Sequence, residues 1–424
     1  MLEKRAVSLH ELVLCFARAT DLVSPLVAHH HEQVAYVSTA LARQVGLPAG
    51  EQSALLLAAL LHDAGALSLG ERMEALKFEF DFTNPDRDKH AALGWQLLSR
   101  IGPLRDAAEI VRYHHAFWKK DDGSKPDADV PHASHILHLA DRVAILVPQR
   151  TSGLAFVKQI GEKIKAHSGE LLAPELVEVF LDLASKESFW FGLMGVAKEP
   201  VADESQSRLF MELNSENLVD IATAFGHFVD FRCRFTATHS AGVAASARML
   251  AGLAGFSGME CQMMYVAGQL HDLGKLAVPP EIISKPGKLT QEEFDLVKAH
   301  PYHTHTVLGQ LDAFYPINLW AALHHECPNG RGYPFHATVE SLSLGARIMA
   351  VADRFAALTE DRPYRAGMSP AEALGILGDM ATRGDVDPMV VRWADSNRDA
   401  LLATCKSAQA EATRGYEQFG RSWR

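Results

Sequence analysis

The stretch His271-Asp272-Leu273-Gly274-Lys275 is followed at long intervals by His300, the pair His324-His325, Gly332-Tyr333-Pro334 and Asp353. Imidazoles and carboxylates in that number are what two adjacent divalent metals need. One carboxylate can bridge both ions while neutral imidazole nitrogens complete each shell, and the chemistry implied is metal-assisted hydrolysis. A His-Asp dipeptide alone says little, because both residues are common. A single histidine is more often a hydrogen-bonded core or surface group than a ligand. The weight lies in the extended set.

That set resembles the HD-GYP subfamily of HD-domain phosphohydrolases, whose members hydrolyse cyclic dinucleotides. The match runs from about His239 to Arg365 and rests on "HDLGK", "KPGKLTQEEFDLVKAHP", "HHE", "NGRGYP", "RIMAVADRFAALT" and "DRPYR", in family order. The resemblance implies that His239, His271, Asp272 and Asp353 hold one metal and Asp272, His300, His324 and His325 the other, with Asp272 bridging. Two such cations lower the pKa of a water far below its bulk value and stabilise charge growing on phosphorus. Lys275 would neutralise a phosphate or donate to the leaving oxygen; its bland reading is a solvated lysine at a helix end. Arg362 and Arg365 would clamp the second phosphate with guanidinium forks, although arginines in a turn are usually only solvated. Tyr333 in the GYP loop reads as a pocket edge and a contact for a signalling partner, with plain turn chemistry an equal alternative.

Two departures bear on the ligand count and on the loop. Some family members carry a Glu four residues before the first metal histidine, where it supports a third ion. Phe235 stands there in this chain, so two ions are expected. Asn329 stands where the family usually has Asp; Asn keeps the turn preference, and catalysis should survive. Mixed imidazole and carboxylate ligands without thiolate suit iron or manganese, with nickel, cobalt or zinc admissible.

These residues must be brought together by helices. Long apolar-periodic segments with little Gly or Pro inside them read as an all-α chain, and strand signals are nearly absent. Two helix starts stand out. Thr290-Gln291-Glu292-Glu293 is a capping box, and Ser369-Pro370-Ala371-Glu372 places Ser at the N-cap and Pro at the first helical position. His271 and Asp272 are expected at the end of an apolar helix stopped by Gly274, and His300 at the end of the capped helix, stopped by Pro301.

The chain also repeats itself. "LLLAALLHDAGAL" matches "YVAGQLHDLGKL", "VRYHHAF" matches "WAALHHECP", and "ILHLADRVAIL" matches "RIMAVADRFAAL". From first His to HD pair the spacing is 62 − 30 = 32 against 271 − 239 = 32. The next steps are 90 − 62 = 28 against 300 − 271 = 29, then 114 − 90 = 24 against 324 − 300 = 24, then 141 − 115 = 26 against 353 − 325 = 28. The expectation is two tandem HD-domain-like helical bundles: residues 1–197 as a divergent copy, 198–207 as a polar linker ("AKEPVADESQS" spans it), and 208–424 as the catalytic domain. The first copy keeps His30, His62, Asp63, His90, His114, His115 and Asp141, a possible second metal centre, with His30 selected from three consecutive histidines by register. It has Ala66 for Lys275, no GYP, and Gly153 for Arg365, while Arg150 aligns with Arg362. A decayed duplicate that supports its partner, a metal-binding regulatory module and a second phosphohydrolase all stay open.

Composition bounds the rest. The 424 residues, 48% hydrophobic, can supply full cores. A formal charge of −11 argues against long nucleic acids, which need clustered Lys and Arg, but admits a small nucleotide in a local basic pocket. The longest apolar run, Ala54 to Leu61, is far short of a membrane span, and the N-terminus lacks the features of a secretory signal, so the expected location is the cytoplasm. Five scattered cysteines without CxxC spacing fit reduced thiols, and Cys327 beside the His pair reads as a bystander.

The reading is a metal-dependent phosphodiesterase that opens cyclic dinucleotides to linear dinucleotides or mononucleotides. Cyclic di-GMP is the default for HD-GYP enzymes, whereas an HD domain followed by HD-GYP also resembles cyclic GMP-AMP phosphodiesterases. The rival from another class is a receptor or scaffold that binds the nucleotide without turnover. Its expected signature, ligands lost from the second copy, is absent.

Overall fold

The computed structural model describes residues 8–22, 28–66, 89–119, 129–148, 153–195, 215–231, 238–283, 285, 287–361 and 366–421. The chain divides into two units between Glu212 and Leu213. Among the described residues regular structure is helical, with only the isolated bridges Ser168–Leu172 and Asn329–Thr338.

The N-terminal unit runs α1 (Leu9–Asp21), α2 (His30–Gln44), α3 (Ala49–Leu61), α4 (Lys89–Leu98), α5 (Arg105–Arg112), α6 (His132–Leu146), α7 (Val157–Ala166), α8 (Pro174–Ala184) and α9 (Glu187–Met194). The C-terminal unit runs α10 (Ser215–Phe231), α11 (His239–Leu253), α12 (Gly258–Leu270), α13 (Pro280–Ile283), α14 (Gln291–Lys298), α15 (His300–Leu308), α16 (Tyr315–Ala322), α17 (Leu344–Thr359), α18 (Pro370–Thr382), α19 (Pro388–Ser396) and α20 (Arg398–Arg421). The repeat is visible element by element. α2 and α11 each begin on the first histidine of their copy, and α3 and α12 each end just before an HD pair. α6 and α17 carry Asp141 and Asp353.

Local chemistry explains the boundaries. Thr290 caps α14 reciprocally with Glu293, and Ser369 caps α18 with Glu372, so each pair satisfies backbone donors that a helix start would otherwise leave open. Ser8 with Glu11 and Ser257 with Glu260 make the same cap. α3 is buried on every side from Ser53 to Leu61, as a helix apolar all round must be, and it packs against α2 and α5. In the C-terminal unit α11 is the central helix, packed on α12, α17 and α20.

Two expected boundaries differ. Pro301 does not stop the helix before it: α14 ends at Lys298, and α15 begins on His300 with Pro301 at its first positions, where the missing N–H would have had no partner anyway. Gly274 does not end α12, which stops at Leu270 and passes into a 3-10 turn at Leu273–Ala277. The glycine serves close approach instead. A Cβ at Gly274 would lie 1.9 Å from the His300 carbonyl oxygen, and one at Gly65 would lie 1.9 Å from that of His90.

Candidate metal centres

In the C-terminal unit four helix ends converge. His239 opens α11, His271 and Asp272 follow α12, His300 opens α15, and His324 and His325 follow α16; Asp353 faces them from within α17. The HD turn is locked to α15 by Thr304, whose buried hydroxyl donates to the His271 carbonyl at 3.0 Å and accepts from Gly274 N at 2.9 Å. Imidazole orientation is fixed the same way three times. Nδ1 of His271, His300 and His324 donates to the carbonyls of Gly268, Val297 and Ala321, at 2.8, 2.6 and 2.6 Å. Each leaves its Nε2 lone pair aimed inward, the arrangement in which backbone acceptors set the tautomer of a metal-ligating histidine.

The inward atoms fall into overlapping groups, His239 with His271 and Asp353, His271 with Asp272 and His324, and His300 with His324 and His325, each within 4.8 Å. His239 Nε2 lies 3.1 Å from Asp353 Oδ1, and His271 Nε2 lies 3.3 Å from Asp272 Oδ2. On the other side His300 Nε2 is 3.3 Å from Asp272 Oδ1 and 3.2 Å from His324 Nε2. Ligands about 2.0 to 2.2 Å from a common ion stand roughly this far apart. Asp272 thus has Oδ2 toward His271 and Oδ1 toward His300, on opposite sides of the centre. Its Oδ1 and Nε2 of His271 are buried without a hydrogen-bonding partner, as lone pairs directed at a cation are. The donor set fits divalent metal.

Protonation agrees. Burial would raise Asp272 and Asp353, but the charges of His271 and Lys275 hold the first, and the His239 hydrogen bond and His325 the second, well below the usual carboxylate range. Burial and the neighbouring His271 push His324 well down, to a neutral ligand. His239 goes the other way: burial lowers it, yet Asp353 and Glu360 bring it up to about 9, so its position favours positive charge.

Lys275 reaches the centre, its ammonium on Asp272 Oδ2. Tyr333 stands at the rim with its ring 4.8 Å from that of His325 and 6.1 Å from that of Phe294. Cys327 lies near Arg354, 3.9 Å from its guanidinium, and belongs to none of the metal-binding groups. Arg362, Arg365 and Phe235 lie outside the described residues, as do Arg150 and the expected linker at 198–207.

Three contributors escaped sequence reasoning. Glu360 is buried behind His239, 3.7 Å from its Nδ1, and accepts from Thr238 at 3.1 Å. Glu326, next after the His pair, accepts from the backbone N–H of Phe335 at 2.7 Å and of Ala337 at 2.8 Å, tying the GYP loop to the site. Thr304 is the third. Glu360 and Thr304 are isolated polar residues with no periodic or motif signal; only Glu326, as the last letter of "HHE", could have been found.

Asn329 also has a reason to be Asn. Its side-chain oxygen accepts from Arg331 N at 3.0 Å, the turn contact expected of it, while its amide donates to the Arg383 carbonyl at 3.0 Å and to Asp385 at 2.9 Å. An aspartate there could not donate and would face a second carboxylate.

The N-terminal copy gathers its own set. His90 Nε2 lies 2.8 Å from His115 Nε2 and 3.2 Å from His114 Nε2, and His30, His62 and Asp63 form a second group. His29 is exposed and His31 pairs with Asp21, so of the three consecutive histidines His30 faces Asp141, at 3.2 Å. His62 is lowered by burial but raised by Asp63 and Asp141, to about 9.

Comparison with known proteins places this geometry. Family models for the HD domain match residues 27–146 and 222–390. A 3'3'-cGAMP-specific phosphodiesterase of Vibrio cholerae (the one numbered 1) is 30% identical over 392 residues, covering 91% of this chain and 90% of that protein. The chain belongs to the HD-GYP phosphodiesterase family. Among other HD-GYP relatives, the V. cholerae 3'3'-cGAMP-specific phosphodiesterase 3 is 36% identical over 222 residues, 52% of this chain and 48% of that protein. A cyclic di-GMP phosphodiesterase of Pseudomonas aeruginosa is 44% identical over 128 residues, 30% of each. The crystal structure of a cyclic GMP-AMP-specific phosphodiesterase of V. cholerae shares the fold, with a TM-score of 0.62 at 24% identity over 96% of this chain and 98% of that one. No helix among the described residues is long and apolar enough to cross a membrane.

Proposed function

We propose that this HD-GYP protein hydrolyses 3'3'-cyclic GMP-AMP and, less well, cyclic di-GMP, by adding water across one phosphodiester to leave a linear dinucleotide. The observation that carries the reading is Asp272, buried with Oδ2 toward His271 and Oδ1 toward His300. A relative matched over nine-tenths of its length bears a cyclic GMP-AMP specificity in its name, which supports that nucleotide over cyclic di-GMP.

His239, His271, Asp272 and Asp353 would hold one ion and Asp272, His300, His324 and His325 a second, iron or manganese by the donor set. When bound, such a pair activates water and stabilises charge on the phosphoryl oxygens. The chain's own residues then orient the substrate. Lys275, now on Asp272, is within reach of a phosphate entering the centre; Tyr333 offers a ring face at the rim; Arg362 and Arg365 would take the other phosphate. The GYP loop, anchored by Glu326, is the surface for a signalling partner. Residues 208–424 would form the catalytic domain, with 1–197 a regulatory copy and 198–207 the connection, in a cytoplasmic protein.

The test is turnover of both cyclic dinucleotides by the purified full-length protein loaded with manganese or iron, with products separated by chromatography. Faster loss of cyclic GMP-AMP with a linear product is expected. Binding of either nucleotide without turnover under both metals overturns the reading in favour of a receptor.

A further inference from the structure

The two copies differ in where one arginine goes. Arg354 follows Asp353 and turns away from it, donating to the carbonyls of His324 at 3.0 Å and Ala350 at 2.9 Å. Arg142 follows Asp141 in the first copy, is fully buried, and lays its guanidinium on Asp141 Oδ2. A fixed monocation therefore sits where the C-terminal centre keeps its second carboxylate for a metal. The first copy also has Pro148 in the register of Glu360, so it lacks the acid that stands behind His239. Among the described residues its two carboxylates, Asp63 and Asp141, with one guanidinium leave one net negative charge, where Asp272, Asp353 and Glu360 with Lys275 leave two, a difference that favours one dication over two.

The other half of the centre is intact. Nδ1 of His114 donates to the Val111 carbonyl at 2.6 Å, which leaves its Nε2 to accept. His90 Nε2 lies 3.2 Å from that of His114 and 2.8 Å from that of His115, the three ligand atoms fall within 4.8 Å of one another, and Asp63 Oδ1 lies 3.7 Å from His90 Nε2. Three imidazole nitrogens this close are spaced as a tetrahedral ion spaces them, at about 2.0 to 2.1 Å each. Without a cation or proton between them their lone pairs repel.

We propose that the N-terminal unit holds one divalent transition-metal ion, in the nest formed by His90, His114 and His115 with Asp63, and that Arg142 takes the place of a second. The unit is then a single-ion centre, distinct from the two-ion arrangement assigned to the C-terminal unit. The change in ion count on altering the N-terminal unit does not depend on that assignment.

The experiment is metal-to-protein stoichiometry of the full-length chain, saturated with manganese or cobalt, desalted and analysed by plasma mass spectrometry. Replacing His90 and His115 together by Ala should remove one ion per chain relative to the unaltered protein. A loss of none or of two overturns the proposal. Arg142→Met should add one ion, and no gain overturns the role given to the arginine. Circular dichroism checks folding. Should the double variant not fold, His115→Gln, of similar volume, is expected to give the same one-ion loss. Failure of the C-terminal assignment is read separately, as an unchanged ion count in a His271→Ala, Asp272→Ala chain.

Discussion

Asp272 contributes a carboxylate with one oxygen beside His271 and the other beside His300, and His271 an imidazole beside both Asp272 and Asp353. Replacing both by Ala should abolish hydrolysis, a fall of at least about a thousandfold, because the metals' contributions to the nucleophile and to charge stabilisation are lost together. Near-native turnover by a folded double variant would place the chemistry elsewhere. Glu360 tests the layer behind. It touches His239 from the side away from the centre, so Glu360→Gln should weaken metal affinity roughly 10- to 100-fold while leaving every inward atom in place. Chelator competition measures it, and an unchanged affinity would reduce Glu360 to a structural acid. At this scale the histidines and Asp353 were singled out by the extended motif set and its family resemblance, and the structure brings them together. The sequence was silent where an ordinary residue acts through another, as with Glu360 and Thr304.

Elements place these residues by meeting end-on, and the tightest meeting is the HD turn against the start of α15. Gly274→Ala puts a methyl onto the His300 carbonyl oxygen, so the turn and the helix must separate. Overpacking of this kind costs about 1 to 3 kcal/mol, and a shift of about 1 Å between catalytic groups can cost about a hundredfold in rate. Both losses should appear together, in denaturant unfolding and in turnover; a variant of full activity would show that the approach is not needed. Asn329→Asp separates stability from chemistry. It removes two donated hydrogen bonds and sets a carboxylate beside Asp385, in an exposed loop, so a loss of about 1 kcal/mol is expected with turnover little changed. Capping boxes made two helix starts readable in advance. Pro301 was misread because proline both follows a helix and begins one, and only the backbone path decides which.

For the molecule as a whole, the repeat was the most legible feature, since spacings of 32 and 24 residues recur unchanged between metal-type residues whose flanking segments also match. What the spacing does not carry is whether both copies work. The first copy keeps the imidazoles but has Ala66 where Lys275 meets Asp272, Gly153 where Arg365 is expected to meet phosphate, and a guanidinium on its own Asp141. A charge-assisted hydrogen bond to phosphate stabilises the bound nucleotide by about 1.5 to 3 kcal/mol, so the absence of two lowers productive binding by about two to four orders of magnitude. The full-length protein carrying His271→Ala and Asp272→Ala should therefore retain metal in its N-terminal unit yet turn over neither cyclic dinucleotide at a rate above about a hundredth of the unaltered protein. Robust hydrolysis by that variant would move the activity to the first copy, because nothing in the second could then supply it.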